Sequence, residues 1–236
     1  SNGGSVVASI YAKPGTAITA PANPTKKNCT FLGWYLGDEL FTFDVMPSEN
    51  IELVAKWEGI QYTITYELND GTCDNLITTY SSDRKGNITL PTPTKEGYNF
   101  AGWYTDNAFT APAIAGTPLT DNITLYAKWA DPYTVAYART LIAADLENTG
   151  VYAYVAGVVT AVEEISTEYG NATYSIGDTE DAAEILKVYR GNYLANAKFT
   201  AENQLKVGDQ VVVYGKMMDH STGGYQLGQG NYIYKL

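Results

Sequence analysis

Three blocks of residues return in the same order about 70 positions later, and this constrains the fold more than any compositional feature. Phe31-Leu-Gly-Trp-Tyr35 recurs as Phe100-Ala-Gly-Trp-Tyr104, and Asn50-Ile-Glu-Leu-Val-Ala-Lys-Trp57 recurs as Asn122-Ile-Thr-Leu-Tyr-Ala-Lys-Trp129. Pro24-Thr-Lys-Lys-Asn-Cys-Thr-Phe31 matches Pro93-Thr-Lys-Glu-Gly-Tyr-Asn-Phe100. The offset is 69 residues at the first pair and 72 at the second, so the copies differ by a small loop insertion. Such a period marks a tandem structural unit, with one copy at residues 1–58 and another at 59–131.

The second copy is complete and reads as strands. Tyr62-Thr-Ile-Thr-Tyr-Glu-Leu68 alternates as a strand should, and Asn69-Asp70-Gly71 is a hairpin-turn signal. A polar loop follows, then a short strand at Ile88–Leu90, a turn at Pro91 and Pro93, and a strand from Asn99 to Tyr104. Asn122 to Trp129 closes the unit, with Ile123, Leu125 and Ala127 on one face. Trp103 and Trp129, the largest apolar groups, are expected to build its core rather than stack a ligand. In the first copy Asn2-Gly3-Gly4 aligns with Asn69-Asp70-Gly71, so the opening strand is missing. The first sheet is therefore expected to be incomplete at an edge, where unpaired backbone groups invite pairing. A chain that opens in mid-hairpin is expected to belong to a larger parent protein.

These residues resemble the Listeria–Bacteroides repeat, the internalin B-repeat type of module. Its pattern is a strand, an Asn-Gly-Gly turn, a Pro-x-Pro segment, Gly-Tyr-x-Phe-x-Gly-Trp-Tyr and a closing Leu-Tyr-Ala-Lys-Trp. The second copy follows it at Gly97-Tyr98-Asn-Phe100-Ala-Gly102-Trp103-Tyr104 and Leu125-Tyr126-Ala127-Lys128-Trp129. The first departs at Asn28-Cys29, in place of Gly-Tyr, and at Val54, in place of Tyr. Cys29 thus stands where a core tyrosine usually does, and a buried inert thiol is expected. It and Cys73 fall at non-equivalent places and read as free thiols rather than a bridge. The resemblance covers residues 1–130. It implies a β-grasp-like fold in surface-exposed or secreted bacterial proteins, a spacer or adhesion role, and no catalytic residues.

Residues 132–236 have a different character. Pro132 marks a boundary, and Thr134 is placed to cap a short helix carrying Val135, Ala138, Leu141 and Ile142. Strands follow at Tyr152–Val162, interrupted by Gly157 as a barrel bend, at Ala172–Asp178 and at Ile185–Tyr189. A mixed connection over 192–204 leads to Gln210–Lys216, a Gly-rich loop at 219–230 and a last strand at Asn231–Leu236. Five strands with an irregular connection between the third and fourth is the OB-fold order. The segments Tyr154-Val155-Ala-Gly157-Val158-Val159, Val188-Tyr189-Arg190-Gly191 and Lys206-Val207-Gly208-Asp209 also resemble OB-fold domains of Bacteroidetes surface proteins and lipoproteins. The expected chain is mainly β: two tandem β-grasp-like repeats, the first truncated, and a C-terminal five-stranded OB-fold barrel.

Charge narrows the function classes. The net −11 divides into −6 over residues 1–132 and −5 over 133–236, without the basic footprint that phosphate backbones or anionic membranes require. No apolar run of membrane-spanning length occurs. Asp219-His220-Ser221 tempts a triad reading, but sequence neighbours do not satisfy triad geometry. Glu163-Glu164 read as a solvated turn, and Asp178, Glu180 and Asp181 lack EF-hand spacing for calcium. Asn-x-Thr at Asn28, Asn87, Asn122 and Asn171 reads as turn and strand chemistry. Catalytic residues, metal sites and cofactors are therefore not expected.

A binding surface has some residue support. If Tyr174, Ile176, Leu186 and Val188 point inward, alternation turns Thr173, Ser175, Lys187 and Tyr189 outward, with Tyr154 and Arg190 nearby. These residues (Tyr154, Ser175, Lys187, Tyr189 and Arg190) could stack a sugar ring or a base. The favoured reading is that they are ordinary surface, or positions buried against the preceding repeat. The expectation is a non-catalytic, extracellular or cell-surface module with an unknown protein or glycan partner. A carbohydrate-binding accessory domain is the alternative, and single-stranded nucleic acid is disfavoured by charge.

Overall fold

The computed structural model describes residues 1–82, 88–113, 121–144, 150–220, 222 and 224–236. Asn87 and Ser221, singled out above, lie outside the described residues. The described chain falls into two compact units. One comprises Ser1–Glu67, Asp74–Pro91 and Trp103–Tyr126; the other comprises Leu68–Cys73, Thr92–Gly102 and Ala127–Leu236.

The first repeat forms an antiparallel sheet of β1 (Cys29–Leu36), β2 (Glu39–Leu40) and β3 (Val54–Gly59), in the order β2-β1-β3. The second has four strands, β4 (Gln61–Glu67), β5 (Thr79–Ser81), β6 (Asn99–Tyr104) and β7 (Ile123–Ala130), in the order β5-β4-β7-β6. Its central pair is parallel, with Ile64 opposite Ile123 and Tyr66 opposite Leu125, the β-grasp-like element expected. Ile64, Trp103 and Leu125 are buried, and Tyr66 meets Trp103 edge-on at 5.0 Å. Trp103 donates its indole N–H to the Pro91 carbonyl at 2.9 Å, which removes the cost of burying that donor.

Three expectations need correction. Ile88–Leu90 is not a strand: among the described residues none pairs with it in a ladder, and Pro91 has no N–H with which to continue one. Cys29 is half-buried rather than sealed in a core, and neither cysteine is in a disulfide. Trp129 is half-buried too: it fastens the turn. Its indole N–H donates to the Leu68 carbonyl at 3.0 Å, while Asn69 Nδ2 donates to the Ala127 carbonyl at 2.8 Å. A Cβ on Gly71 would lie 2.3 Å from the Trp129 ring, so only glycine fits beneath it. The first repeat repeats the device with Trp57 donating to Ser1, Asn2 to Ala55, and Gly4 under the Trp57 ring.

The C-terminal part is a closed barrel preceded by α1 (Val135–Ala144). Its strands are β8 (Tyr152–Ser166), β9 (Asn171–Gly177), β10 (Ile185–Gly191), β11 (Gln210–His220) and β12 (Gly224–Leu227), and β13 (Tyr232–Lys235) flanks β11. Closure runs β8-β9-β10-β12-β11 and back to β8, with β10 and β12 parallel. The residues expected to be a Gly-rich loop therefore hold the closing strand. Gln226 and Leu227 are buried there although glycines surround them. Tyr174, Ile176, Leu186 and Val188 all point inward, fully buried, as alternation requires.

Helix α1 covers this core with Val135, Ala138 and Ile142. Gly157 lets it approach, since a Cβ there would meet Val135 at 3.1 Å and the Gly177 carbonyl at 2.9 Å. Thr134 caps the helix as expected, its Oγ1 accepting from the Tyr137 N–H at 3.2 Å. Asp178 adds a second cap from the end of β9, accepting from the N–H groups of Val135 at 2.6 Å and Ala136 at 3.0 Å. A carboxylate at a helix N-terminus satisfies free donors and opposes the helix dipole. Asp178→Ala is expected to destabilise the barrel by about 1–2 kcal/mol, with Asp178→Asn recovering part of the loss in thermal melts.

Candidate functional site

Alternation along three adjacent strands puts five tyrosines on one outer face of the barrel. Ala153 and Val155 of β8, Val213 of β11 and Ile233 of β13 point into the core. Tyr152, Tyr154, Tyr214, Tyr232 and Tyr234 consequently point out. Tyr214 lies opposite both Tyr154 and Tyr232 in register. The rings pack at 4.6 Å for Tyr154–Tyr214, 5.0 Å for Tyr154–Tyr234 and 5.6 Å for Tyr214–Tyr232. Tyr152 stacks on Tyr214 at 5.6 Å and remains 53% exposed, whereas Tyr154 is only 8% exposed.

The turn before β6 rests on this face. Gly97 has φ +79, and a Cβ on it would lie 2.9 Å from the Tyr234 hydroxyl, so a side chain is excluded both by conformation and by space. Asn99, 5% exposed, then meets the edge of β8 with its amide. Its Oδ1 accepts from the Tyr154 N–H at 2.8 Å, and its Nδ2 donates to the Tyr154 carbonyl at 3.0 Å and to the Asp131 carbonyl at 3.4 Å. The need for it is visible in the register: β9 joins β8 only from Val158 onward. Residues 152–156 would otherwise leave a bare edge, which Asn99 and Tyr133 cover; Tyr133 donates its N–H to the Tyr154 carbonyl at 2.9 Å.

Burial and crowding shift the phenols. Tyr232 is pushed up to about 12, by desolvation first and then by Tyr154. Tyr214 and Tyr234 are raised by desolvation, with smaller contributions from Tyr154 and from Glu96 respectively. A phenol raised above its unfolded value favours the folded state fully below about pH 10 and loses that advantage as pH climbs through its folded value. A spectrophotometric titration at the tyrosinate band is therefore expected to show a late component, near pH 12, that merges with the normal one in denaturant. A single transition near pH 10 in the native chain would contradict this packing.

The other residues expected at a site lie on β9 and β10. Ser175 and Lys187 are cross-strand partners. Lys187 Nζ reaches Glu163 on β8 at 2.9 Å, so this ion pair crosses β9 on the Ser175 side. Ser175 is 3% exposed and Thr173 7%, which corrects the expectation that they present an open surface: the central strand is covered by its neighbours' side chains. Glu163 and Glu164 lie within β8 rather than in a turn. Tyr189 is half-buried, and the exposed Arg190 guanidinium lies 5.2 Å from its ring centre. Tyr154 belongs instead to the tyrosine face. The five candidates thus divide between two places.

Asn99 and Asn231 were not anticipated. Asn231, 0% exposed, donates to the carbonyls of Tyr189 at 3.0 Å, Leu227 at 3.2 Å and Gly228 at 2.8 Å, holding the end of β10 to the connection after β12. An asparagine within or beside a strand, where the type is disfavoured, is the one local signal of such a role.

Among the described residues no cluster of three or more His, Cys, Asp or Glu is placed to hold a metal ion. No described helix is long and apolar enough to cross a membrane.

The Listeria–Bacteroides repeat domain family model matches residues 1–56 and 62–128. A protein of Evansella cellulosilytica named as a membrane protein is 41% identical over 145 residues, 58% of this chain and 21% of that protein. A Gly-rich protein of the same organism, also named for the membrane, is 33% identical over 220 residues, 90% of this chain and 23% of that one. Internalin H of Listeria monocytogenes is 37% identical over 121 residues, covering 48% of this chain and 21% of its own length. The chain spans about a fifth of the length of these curated relatives. No solved structure matches it.

Proposed function

The chain belongs to the Listeria–Bacteroides repeat domain family, and from that premise we propose that it is a non-catalytic structural and interaction segment of a bacterial surface or secreted protein. The repeats act as spacers, and the barrel, read as an OB-fold by its β8-β9-β10-β12-β11 order, acts as a docking or recognition element. One observation carries this reading. The buried Asn99 amide completes the edge of β8 as a neighbouring strand would, so hydrogen bonds as well as chain connection hold the turn before β6 to the barrel edge. A spacer that positions a recognition element needs such a seat. Family membership, the membrane name of one relative and the internalin name of another support an extracellular placement.

Carbohydrate binding is the second reading. It is favoured by the exposed Tyr152 ring stacked on Tyr214 and by the Arg190–Tyr189 pair, since sugar rings stack on aromatic faces. The test is a glycan array and, in parallel, single-stranded DNA retention across a salt series, both with the whole chain. The docking reading expects silence on both. A saturable glycan signal lost in Tyr189→Ala or Tyr152→Ala would replace it with sugar recognition, and salt-sensitive DNA retention would refute the partner class altogether.

A further inference from the structure

Neither cysteine is in a disulfide, and residues 132–236 contain no cysteine, so a covalent staple in the barrel has to come from other side chains. The tyrosine face offers a pair for it. Tyr154 and Tyr214 stand directly opposite on the antiparallel strands β8 and β11, an arrangement that sets Cβ atoms about 4.5–5.5 Å apart and runs the two side chains side by side. Their ring centres are 4.6 Å apart and their planes 41° apart. Two phenols joined through the ring carbons beside their hydroxyls take nearly this form: edge to edge, close, with the planes turned from each other. The neighbouring contacts do not. Tyr154–Tyr234 lies at 5.0 Å and 71°, and Tyr214–Tyr232 at 5.6 Å and 53°, so both are wider and more steeply crossed. Tyr152, 53% exposed, stacks on Tyr214 at 5.6 Å with planes 27° apart, which puts a solvent-facing ring in contact with the pair.

We propose that Tyr154 and Tyr214 form an oxidative coupling site, which a one-electron oxidant of the peroxidase type, fed by hydrogen peroxide, turns into a dityrosine staple between β8 and β11. Tyr152 is the entry. The first radical passes from it through Tyr214 to Tyr154, and the second stops on Tyr214. Each oxidation sends one electron to the oxidant and one hydroxyl proton to water. The two radicals then form one carbon–carbon bond, and the hydrogens displaced from the bonded ring carbons return to the oxygens as the rings regain aromaticity. In sum, two phenols and one hydrogen peroxide give one dityrosine and two waters. The bond closes the long loop between residues 154 and 214, which restricts the unfolded chain as a disulfide does. The extracellular placement proposed above supplies the setting in which peroxide is met; the coupling itself is tested without it.

The whole chain is treated with a haem peroxidase and hydrogen peroxide, and the monomer is then digested with trypsin. The expected product is a fluorescent monomer lighter by two hydrogen atoms, in which the fragment 140–187 is joined to 207–216, where Tyr214 is the only tyrosine. Mass-spectrometric fragmentation places the bond at Tyr154 rather than at Tyr152, Tyr169 or Tyr174. Tyr154→Phe and Tyr214→Phe each abolish this product while keeping the ring packing and a near-native melting curve, so the loss is one of chemistry and not of fold. Tyr152→Phe leaves the product and lowers its initial rate. In denaturant the same oxidant shows no preference for the pair. Dityrosine found only in covalent dimers, a bond placed at Tyr152, or no dityrosine under conditions that couple free tyrosine would each overturn the proposal. An unchanged rate in Tyr152→Phe would overturn its role as the entry.

Discussion

Asn231→Ala is expected to cost the barrel about 3–4 kcal/mol, because three carbonyls, two of them in buried contacts and one in a part-buried one, lose a side-chain donor at once. For a domain of this size that is a fall of about 15–25 °C in Tm, read as the barrel transition in calorimetry of the whole chain. The same site predicts a non-additive pair. A Cβ on Gly191 would stand 2.0 Å from Asn231 Oδ1, and one on Gly215 would stand 2.5 Å from Asn231 Cβ. Gly191 has no left-handed backbone to protect, so its intolerance is steric and comes largely from Asn231. Gly191→Ala should therefore be strongly destabilising in the native background and markedly less so beside Asn231→Ala. Additive losses would mean that Asn231 is not what excludes the methyl group.

Asn99→Ala is expected to remove about 2–4 kcal/mol, since the Tyr154 N–H loses its acceptor in a buried setting and two carbonyls lose a donor. Exchange of the Tyr154 amide should accelerate while amides of β9 and β10 stay protected. Asn99→Asp separates the two halves of the contact. It keeps the acceptor for the Tyr154 N–H but turns a second carboxylate oxygen toward the Tyr154 and Asp131 carbonyls, so it should be no better than alanine. If Asn99→Asp behaves as the native chain, the contact contributes no more than a surface hydrogen bond.

Much of this fold is legible in the residues, and the illegible parts share a cause. The repeats declare themselves because the same blocks return in order, and the barrel strands because Tyr174, Ile176, Leu186 and Val188 alternate cleanly. Strand β12 is hidden because Gly224 and Gly228 bracket it, and glycine ordinarily marks a turn. The inward set was legible, yet the state of the outward set was not. Whether Ser175 is open depends on the strands beside it, and its cross-strand partner Lys187 pairs with Glu163 of a third strand only once the sheet exists. Asn99 and Asn231 are harder still. Their most distant partners lie 55 and 42 residues away, and the one local signal, an asparagine where a strand disfavours it, does not say which backbone groups it meets.

The fastening of each repeat joins the start of one copy to the end of the same copy, Asn2 with Ala55 and Ser1 with Trp57, Asn69 with Ala127 and Leu68 with Trp129. A stretch of gene encoding one such unit can be duplicated or lost by unequal crossing-over, and each product still contains both halves of its own clasp. The three extra residues between Tyr104 and Asn122, relative to Tyr35 and Asn50, show that drift in loop length leaves the clasp intact. Lineages built this way can change reach by whole units. The refitting that each rearrangement demands falls on seams such as Asn99.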